Sequence, residues 1–340
     1  MFKTKALKNL NGINFGNFIL LNLWLGRMRG FICSFLLLIL FFTIFGCDNG
    51  TKNDSKKEKL IGGIRIVATV GMVSDIIRQV GREKADVDQL IRHGVDPHLY
   101  RPTRDDIAKI MKADLVFCNG LLLEGKMNEI LTSSSIGHKT YSFSDFYEKD
   151  NLLGSEEYGS SHFDPHLWMD VSIWAEMPEK VAEVLSLYLP EESDYFKSNA
   201  LILRDKLEDL HNFGLSRLNQ IPKSKRVLIS SHDAFQYFGK AYNIEVHGVQ
   251  GLSTESEAGL VRVNELVSLI VSRGIPSVFV ETSVSPKTIK ALVEGARARG
   301  HTISIGGSLY TDAMGAEGSP QGTYEGMMRH NFEIIYDSLS

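Results

Sequence analysis

Two of the ten histidines in this 340-residue chain sit in the same tetrapeptide. Asp96-Pro97-His98-Leu99 and Asp164-Pro165-His166-Leu167 each put a proline directly before an imidazole, which fixes the backbone there and limits where the ring can point. A third imidazole, His232, follows the apolar run Val227-Leu228-Ile229-Ser230-Ser231, and Asp312 ends Gly307-Ser308-Leu309-Tyr310-Thr311-Asp312. Three imidazoles and one carboxylate make a chemically complete donor set for Zn²⁺. Taken singly each is a weak signal, because a lone loop histidine is more often solvated or hydrogen-bonded than metal-bound. The compact spacings HExxH, CxxC and HxH are absent, so spacing leaves both readings open. His93, His138, His211 and His330 take the ordinary reading, while His162, His247 and His301 stay unassigned.

These side chains need elements that position them, and the pattern supplies an α/β arrangement. Ile64–Val70, Val87–Ile91, Asp114–Cys118 and Thr140–Phe143 read as four strands of a first lobe. Arg226–Ser231, Ile244–Val249, Ser277–Val280 and Thr302–Ile305 read as four of a second, with helical stretches between them. His98 and His166 then fall in loops of the first lobe. His232 and Asp312 fall beyond strand ends of the second, where open α/β sheets build ligand crevices.

Between the two sets, residues 190–221 carry Phe196, Ala200, Leu203, Leu207, Leu210, Leu218 and Ile221 at helical spacing with no internal proline. Pro190 suits the first turn, Glu191, Glu192 and Asp194 suit its positive dipole end, and Pro222 stops it. A helix of that length spans roughly 45 Å and would join the lobes as a stiff strut, with Gly214 a point of local weakness. The expected organisation is a first lobe over 64–189, a linking helix over 190–221 and a second lobe over 222–340.

The start of the chain is different in kind. Residues 1–46 contain Lys3, Lys5, Lys8, Arg27 and Arg29 and no acidic residue, so the remainder is more acidic than the whole chain's net −4, which argues against a nucleic-acid partner. Phe31–Gly46 is an uncharged run of sixteen residues behind two arginines, too short for a span of about 20 and arranged like an export signal. It ends at Cys47, in a context resembling a bacterial lipobox, and residues 48–63 form a polar tether. Residues 1–46 are therefore expected to be removed, with Met28 as an alternative start, and Cys47 to carry the lipid. Cys118, in Leu115-Val116-Phe117-Cys118, reads as an inert core thiol.

The wording around the four candidate ligands sharpens the metal reading. Gly94 to Thr103, Asn119-Gly120 with Glu124, Phe163 to Trp168, Ser231 to Phe235, Gly251 to Thr254 with Glu257-Ala258-Gly259, Phe279-Val280-Glu281 and Gly306 to Gly315 occur in one order. Together they closely resemble the metal-binding lipoproteins and receptors that feed zinc and manganese ABC importers. Ser256 to Gly259 and Gly322 to Met327 look most like the TroA type. The resemblance covers about Ile64 to the C-terminus. It implies two parallel four-stranded lobes joined by one rigid helix, with one transported metal ion held by His98, His166, His232 and Asp312.

It also implies an ABC permease with its cytoplasmic ATPase as partner, an extracytoplasmic monomer anchored by lipid to a bacterial membrane on the periplasmic side or at the cell surface, and no enzymatic activity. Manganese-preferring members carry Glu at the third ligand position, where this chain has His232, which favours Zn²⁺ without excluding Mn²⁺. The His-rich loop of many zinc-only receptors is absent, since Lys149–Ser161 holds no histidine. Glu281 is the candidate for orienting an imidazole. Two rivals remain: a secreted zinc hydrolase with Glu281 or Asp233 as general base, which needs an open metal position, and a lipid-anchored adhesin, which needs none of the four ligands.

Overall fold

A computed structural model describes residues 63–154 and 162–340. The export segment, Met28, Cys47 and the tether lie outside the described residues. In the first half, β1 (Ile64–Ala68), β2 (Ala85–Gln89), β3 (Leu115–Cys118) and β4 (Thr140–Ser142) form one parallel sheet in the order β2-β1-β3-β4. Helices α1 (Gly71–Gly81) and α2 (Arg104–Lys112) connect its strands. Thr103 starts α2 with a reciprocal cap, its hydroxyl accepting from the Asp106 N–H while the Asp106 carboxylate accepts from Thr103 N.

Helix α3 (Met177–Tyr188) leads through a short 3-10 turn, Pro190–Glu192, into α4 (Ser193–Leu218). At 26 residues, α4 spans about 39 Å. Its buried face is the stripe predicted from spacing, including Phe196, Leu203, Leu207, Leu210 and Leu218. Each such side chain contributes about 1.5–3 kcal/mol on burial, so packing rather than propensity holds the helix. Gly214 is a packing site rather than a weak point: a Cβ there would lie 2.5 Å from the Phe332 ring.

The second half contains β5 (Val227–Ser230), α5 (Gln236–Tyr242), β6 (Glu245–Gly248), α6 (Leu260–Arg273), β7 (Ser277–Glu281), α7 (Lys287–Ala298), β8 (Ser304–Leu309) and α8 (Tyr324–Leu339). Its strands are parallel, as expected, but their hydrogen bonds divide into two pairs, β5-β6 and β7-β8, with β5 beside β7. A bulge shifts the register between Val278 and Phe279 and adds twist to its pair. At the C-terminal end of the seam, the Glu281 side chain accepts the His232 backbone N–H.

Side chains alternate across β5 and β7, so both faces are buried. Leu228 and Phe279 enter one core, while Val227, Ile229 and Val278 enter another with Leu266 and Ile289. The larger core runs unbroken from Ile66 and Phe117 through Leu203 and Leu210 of α4 to Phe238 and Phe332. The two halves therefore share one close-packed interior, which resists large relative motion. No helix among the described residues is long and apolar enough to cross a membrane.

Candidate metal centre

His98 follows β2, His166 follows β4, His232 follows β5 and Asp312 follows β8. His232 and Asp312 stand directly beyond C-terminal strand ends, His98 and His166 on longer loops, and the ligating atoms of all four lie within 4.8 Å of one another. All are buried, between 0% and 3% exposed. The Nε2 atoms of His166 and His232 are 3.3 Å apart, and Asp312 Oδ2 is 3.2 Å from His232 Nε2 and 3.8 Å from His98 Nε2. Asp312 Oδ1 is 3.5 Å from His166 Nε2. A tetrahedral Zn²⁺ with bonds of about 2.0–2.2 Å spaces its ligand atoms roughly 3.3–3.6 Å apart, so the four donors need little movement to meet one ion.

The hydrogen bonds behind the rings decide what each ring offers. His166 Nδ1 lies 2.6 Å from Asp164 Oδ1, which also accepts the His166 backbone N–H at 2.9 Å. His232 Nδ1 lies 2.6 Å from Glu281 Oε2, with the backbone N–H on Oε1. A carboxylate can only accept, so both Nδ1 atoms carry a hydrogen and both Nε2 atoms point inward, where each offers a lone pair once it is free of a proton. Two such lone pairs 3.3 Å apart repel each other unless a cation or a proton sits between them.

Electrostatics tell the same story. Burial pushes the His98 imidazole down to about 3, beyond what the Asp312 charge restores, so this ring stays neutral. Burial also disfavours charge on His232, yet the carboxylates of Glu281 and Asp312 together hold it well above the imidazole range. Asp312 is buried too, but the facing imidazoles, His232 foremost, keep it well below the usual carboxylate range. His98 Nε2 and both Asp312 oxygens lack a properly directed hydrogen bond among the described residues. Leaving buried acceptors unmade is costly, and a cation would satisfy all of them at once.

All four predicted donors thus converge, and Glu281 stands behind His232 where it was sought. Three contributors were missed by sequence reasoning. Asp164 and Asp96 belong to the two repeated tetrapeptides, but only their prolines were given a role. An Asp two residues before an imidazole, placed to accept that residue's N–H, is the available signal. Glu124, fully buried, accepts from Asn119 N, Gly120 N and Thr69 Oγ1 and shapes the loop whose Gly125 lies against the His98 carbonyl. There a Cβ would fall 2.5 Å from His98 O.

Other histidines make ordinary bonds: His211 to Tyr242, His247 to Glu245, His301 to the Ile275 carbonyl and His330 to the Ser308 carbonyl. Among the described residues no second cluster has metal-binding geometry. Cys118 is buried beside Ser142, and burial pushes its thiol up, consistent with an inert core residue.

Comparison with known proteins places this arrangement. The family model described as "Zinc-uptake complex component A periplasmic" matches residues 66–338. The chain is 39% identical over 298 residues to the manganese-binding lipoprotein MntA of Bacillus subtilis, covering 88% of this chain and 95% of that protein. It is 35% identical over 313 residues to the zinc-binding protein TroA of Treponema pallidum, covering 92% and 99%. The solved structure of the periplasmic zinc-binding TroA superposes with a TM-score of 0.79 at 36% identity, over 82% of this chain and all of that one. On fold, sequence and span alike, the chain belongs to the family of zinc-uptake component A proteins that includes TroA.

Proposed function

We propose that this chain is the extracytoplasmic receptor of an ABC metal importer, capturing one Zn²⁺ or Mn²⁺ on His98, His166, His232 and Asp312 and handing it to the membrane permease. The observation that carries the reading is the convergence of four buried donors, with His98 Nε2 and both Asp312 oxygens lacking hydrogen-bond partners among the described residues. The names of its relatives, a zinc-uptake component, a manganese-binding lipoprotein and a zinc-binding protein, support the same conclusion. Capture requires the protein to replace the ion's water, and a buried, pre-oriented donor set does so at little reorganisation cost.

The ligands divide between a first lobe (64–189) and a second (222–340), joined by residues 190–221, of which α4 forms the main part. A small relative shift of the lobes therefore weakens binding, and the shared core limits the shift to small tilts and loop movements. Docking to the permease, driven by its cytoplasmic ATPase, supplies the displacement. Three nitrogen donors lean toward Zn²⁺, while both oxygens of Asp312 face the imidazoles, so a bidentate mode offers Mn²⁺ an extra position.

The hydrolase alternative is disfavoured by specific contacts. It needs a free general base, yet Glu281 is occupied by His232 and Thr311, and Asp233 accepts from Gln236. The role is binding without bond chemistry. In this reading residues 1–46 direct export, Cys47 carries the lipid that holds the monomer at the membrane, and the adhesin alternative leaves four converging ligands without a purpose.

The test is metal titration of the purified mature protein. One Zn²⁺ or Mn²⁺ should bind per chain, and His98→Ala and His232→Ala should each lower affinity sharply. Unchanged affinity in both variants would remove the site, and normal zinc and manganese uptake in a deletion strain would remove the transport role.

A further inference from the structure

Trp168 lies two residues beyond His166, is fully buried, and makes its polar contacts with the opposite lobe. Its indole N–H donates to the carbonyl of Thr311 at 2.9 Å, and Thr311 directly precedes Asp312. Its own carbonyl accepts the Tyr324 hydroxyl at 2.6 Å, at the first residue of α8. On the near side its ring meets the His166 ring edge-on, with centroids 5.3 Å apart.

The contact continues past Thr311. The Thr311 hydroxyl donates to Glu281 Oε2 at 3.0 Å, and that same oxygen lies 2.6 Å from His232 Nδ1. One side chain therefore touches a first-lobe ligand, fixes the backbone beside a second-lobe ligand, and connects through Thr311 and Glu281 to another. Its neighbour Trp174 provides a contrast. That ring packs 6.4 Å from Trp168 in the same aromatic cluster, but its indole N–H has no hydrogen-bond partner among the described residues.

We infer that Trp168 is a positioning residue that sets the separation between His166 and the second-lobe pair His232 and Asp312, and so sets which ion fits and how long it stays. This rests on the metal-receptor reading above. The physical reason is the tight spacing of the donors. The cross-lobe distances of 3.3 Å from His166 to His232, 3.5 Å from His166 to Asp312 and 3.8 Å from His98 to Asp312 suit short bonds to a small ion, whereas a larger ion demands that the lobes part. A buried indole-to-carbonyl bond across the lobes opposes parting, because breaking it strands both groups away from water.

Trp168→Phe keeps an aromatic ring but removes the cross-lobe donor together with part of the buried ring volume, and Trp174→Phe, which loses the same volume and no hydrogen bond, serves as the matched control. The measurement is Zn²⁺ and Mn²⁺ affinity and dissociation rate for each protein, with thermal unfolding in parallel. In Trp168→Phe, Zn²⁺ should dissociate about tenfold faster, and the ratio of Zn²⁺ to Mn²⁺ affinity should fall several-fold toward Mn²⁺. Trp174→Phe should lower the melting temperature without moving that ratio. Should Trp168→Phe not fold, Tyr324→Phe removes the other cross-lobe bond and should shift the ratio in the same direction by a smaller factor.

An unchanged ratio and dissociation rate in a folded Trp168→Phe would overturn the inference, as would equal shifts in both tryptophan variants, which would mark the effect as general packing. If the unaltered protein binds neither metal, the receptor reading itself fails, an outcome distinct from either of these.

Discussion

Asp96-Pro97-His98-Leu99 and Asp164-Pro165-His166-Leu167 are identical in sequence and both deliver an imidazole to one centre, yet their aspartates work differently. Each carboxylate accepts its histidine's backbone N–H at 2.9 Å, so the local turn is the same. Asp164 then uses the same oxygen to grip the His166 ring at 2.6 Å. Asp96 instead turns its second oxygen across the cleft, where it accepts the Thr254 hydroxyl at 2.5 Å. His166 is therefore fixed as a ring within its own lobe. His98 is held through its loop against the opposite lobe, with its Nε2 turned to the other ligands. A local sequence dictates a turn, but the surrounding fold decides whether the turn orients a ligand or couples two lobes.

The contrast can be broken in order of expected effect. Replacing His166 with Ala removes an inward lone pair and should cost more metal affinity than the 10–100-fold typical of losing a supporting partner, read by competitive titration. Asp164→Asn should cost about 10–100-fold, because the His166 ring loses its charged acceptor. Asp96→Asn should cost less than tenfold at equilibrium, since no ring depends on it, and should instead increase hydrogen exchange across residues 92–103. If the two aspartate variants weaken binding equally, the division of labour is wrong.

Proton coupling is the next test. His232 sits well above the imidazole range, so at neutral pH the metal-free protein holds a proton there that the ion must displace. His98, at about 3, contributes none. Calorimetry near pH 7 in buffers of different ionisation enthalpy should therefore show about one proton released per ion, with affinity falling as pH falls. Release of no proton would contradict the assignment of His232 as the proton holder. The smallest effect is expected from Thr254→Val, which removes one cross-cleft hydrogen bond worth about 1 kcal/mol and should speed metal release roughly fivefold.

Much of this was legible in the sequence for physical reasons. Strand runs such as Leu115–Cys118 and Val227–Ser230 are apolar because both sheet faces are buried, and the α4 stripe repeats at helical spacing because one face meets the core. His98 and His166 were found through their shared tetrapeptide, His232 and Asp312 because each follows a strand end, and all four because their surroundings match a family. The Trp168 bond to Thr311 was not legible, since it joins residues 143 apart and depends on how two lobes pack. Nor was the division of the second set of strands into two hydrogen-bonded pairs, which depends on how β5 packs beside β7. Asp96 and Asp164 mark the boundary: both were visible, and nothing local distinguishes them.

Anomalous diffraction at the zinc edge from crystals grown with Zn²⁺ tests the central claim most directly. The account predicts one strong peak at about 2.0–2.2 Å from Nε2 of His98, His166 and His232 and from a carboxylate oxygen of Asp312. A peak elsewhere, or a water in the fourth position with Asp312 turned away, would contradict it.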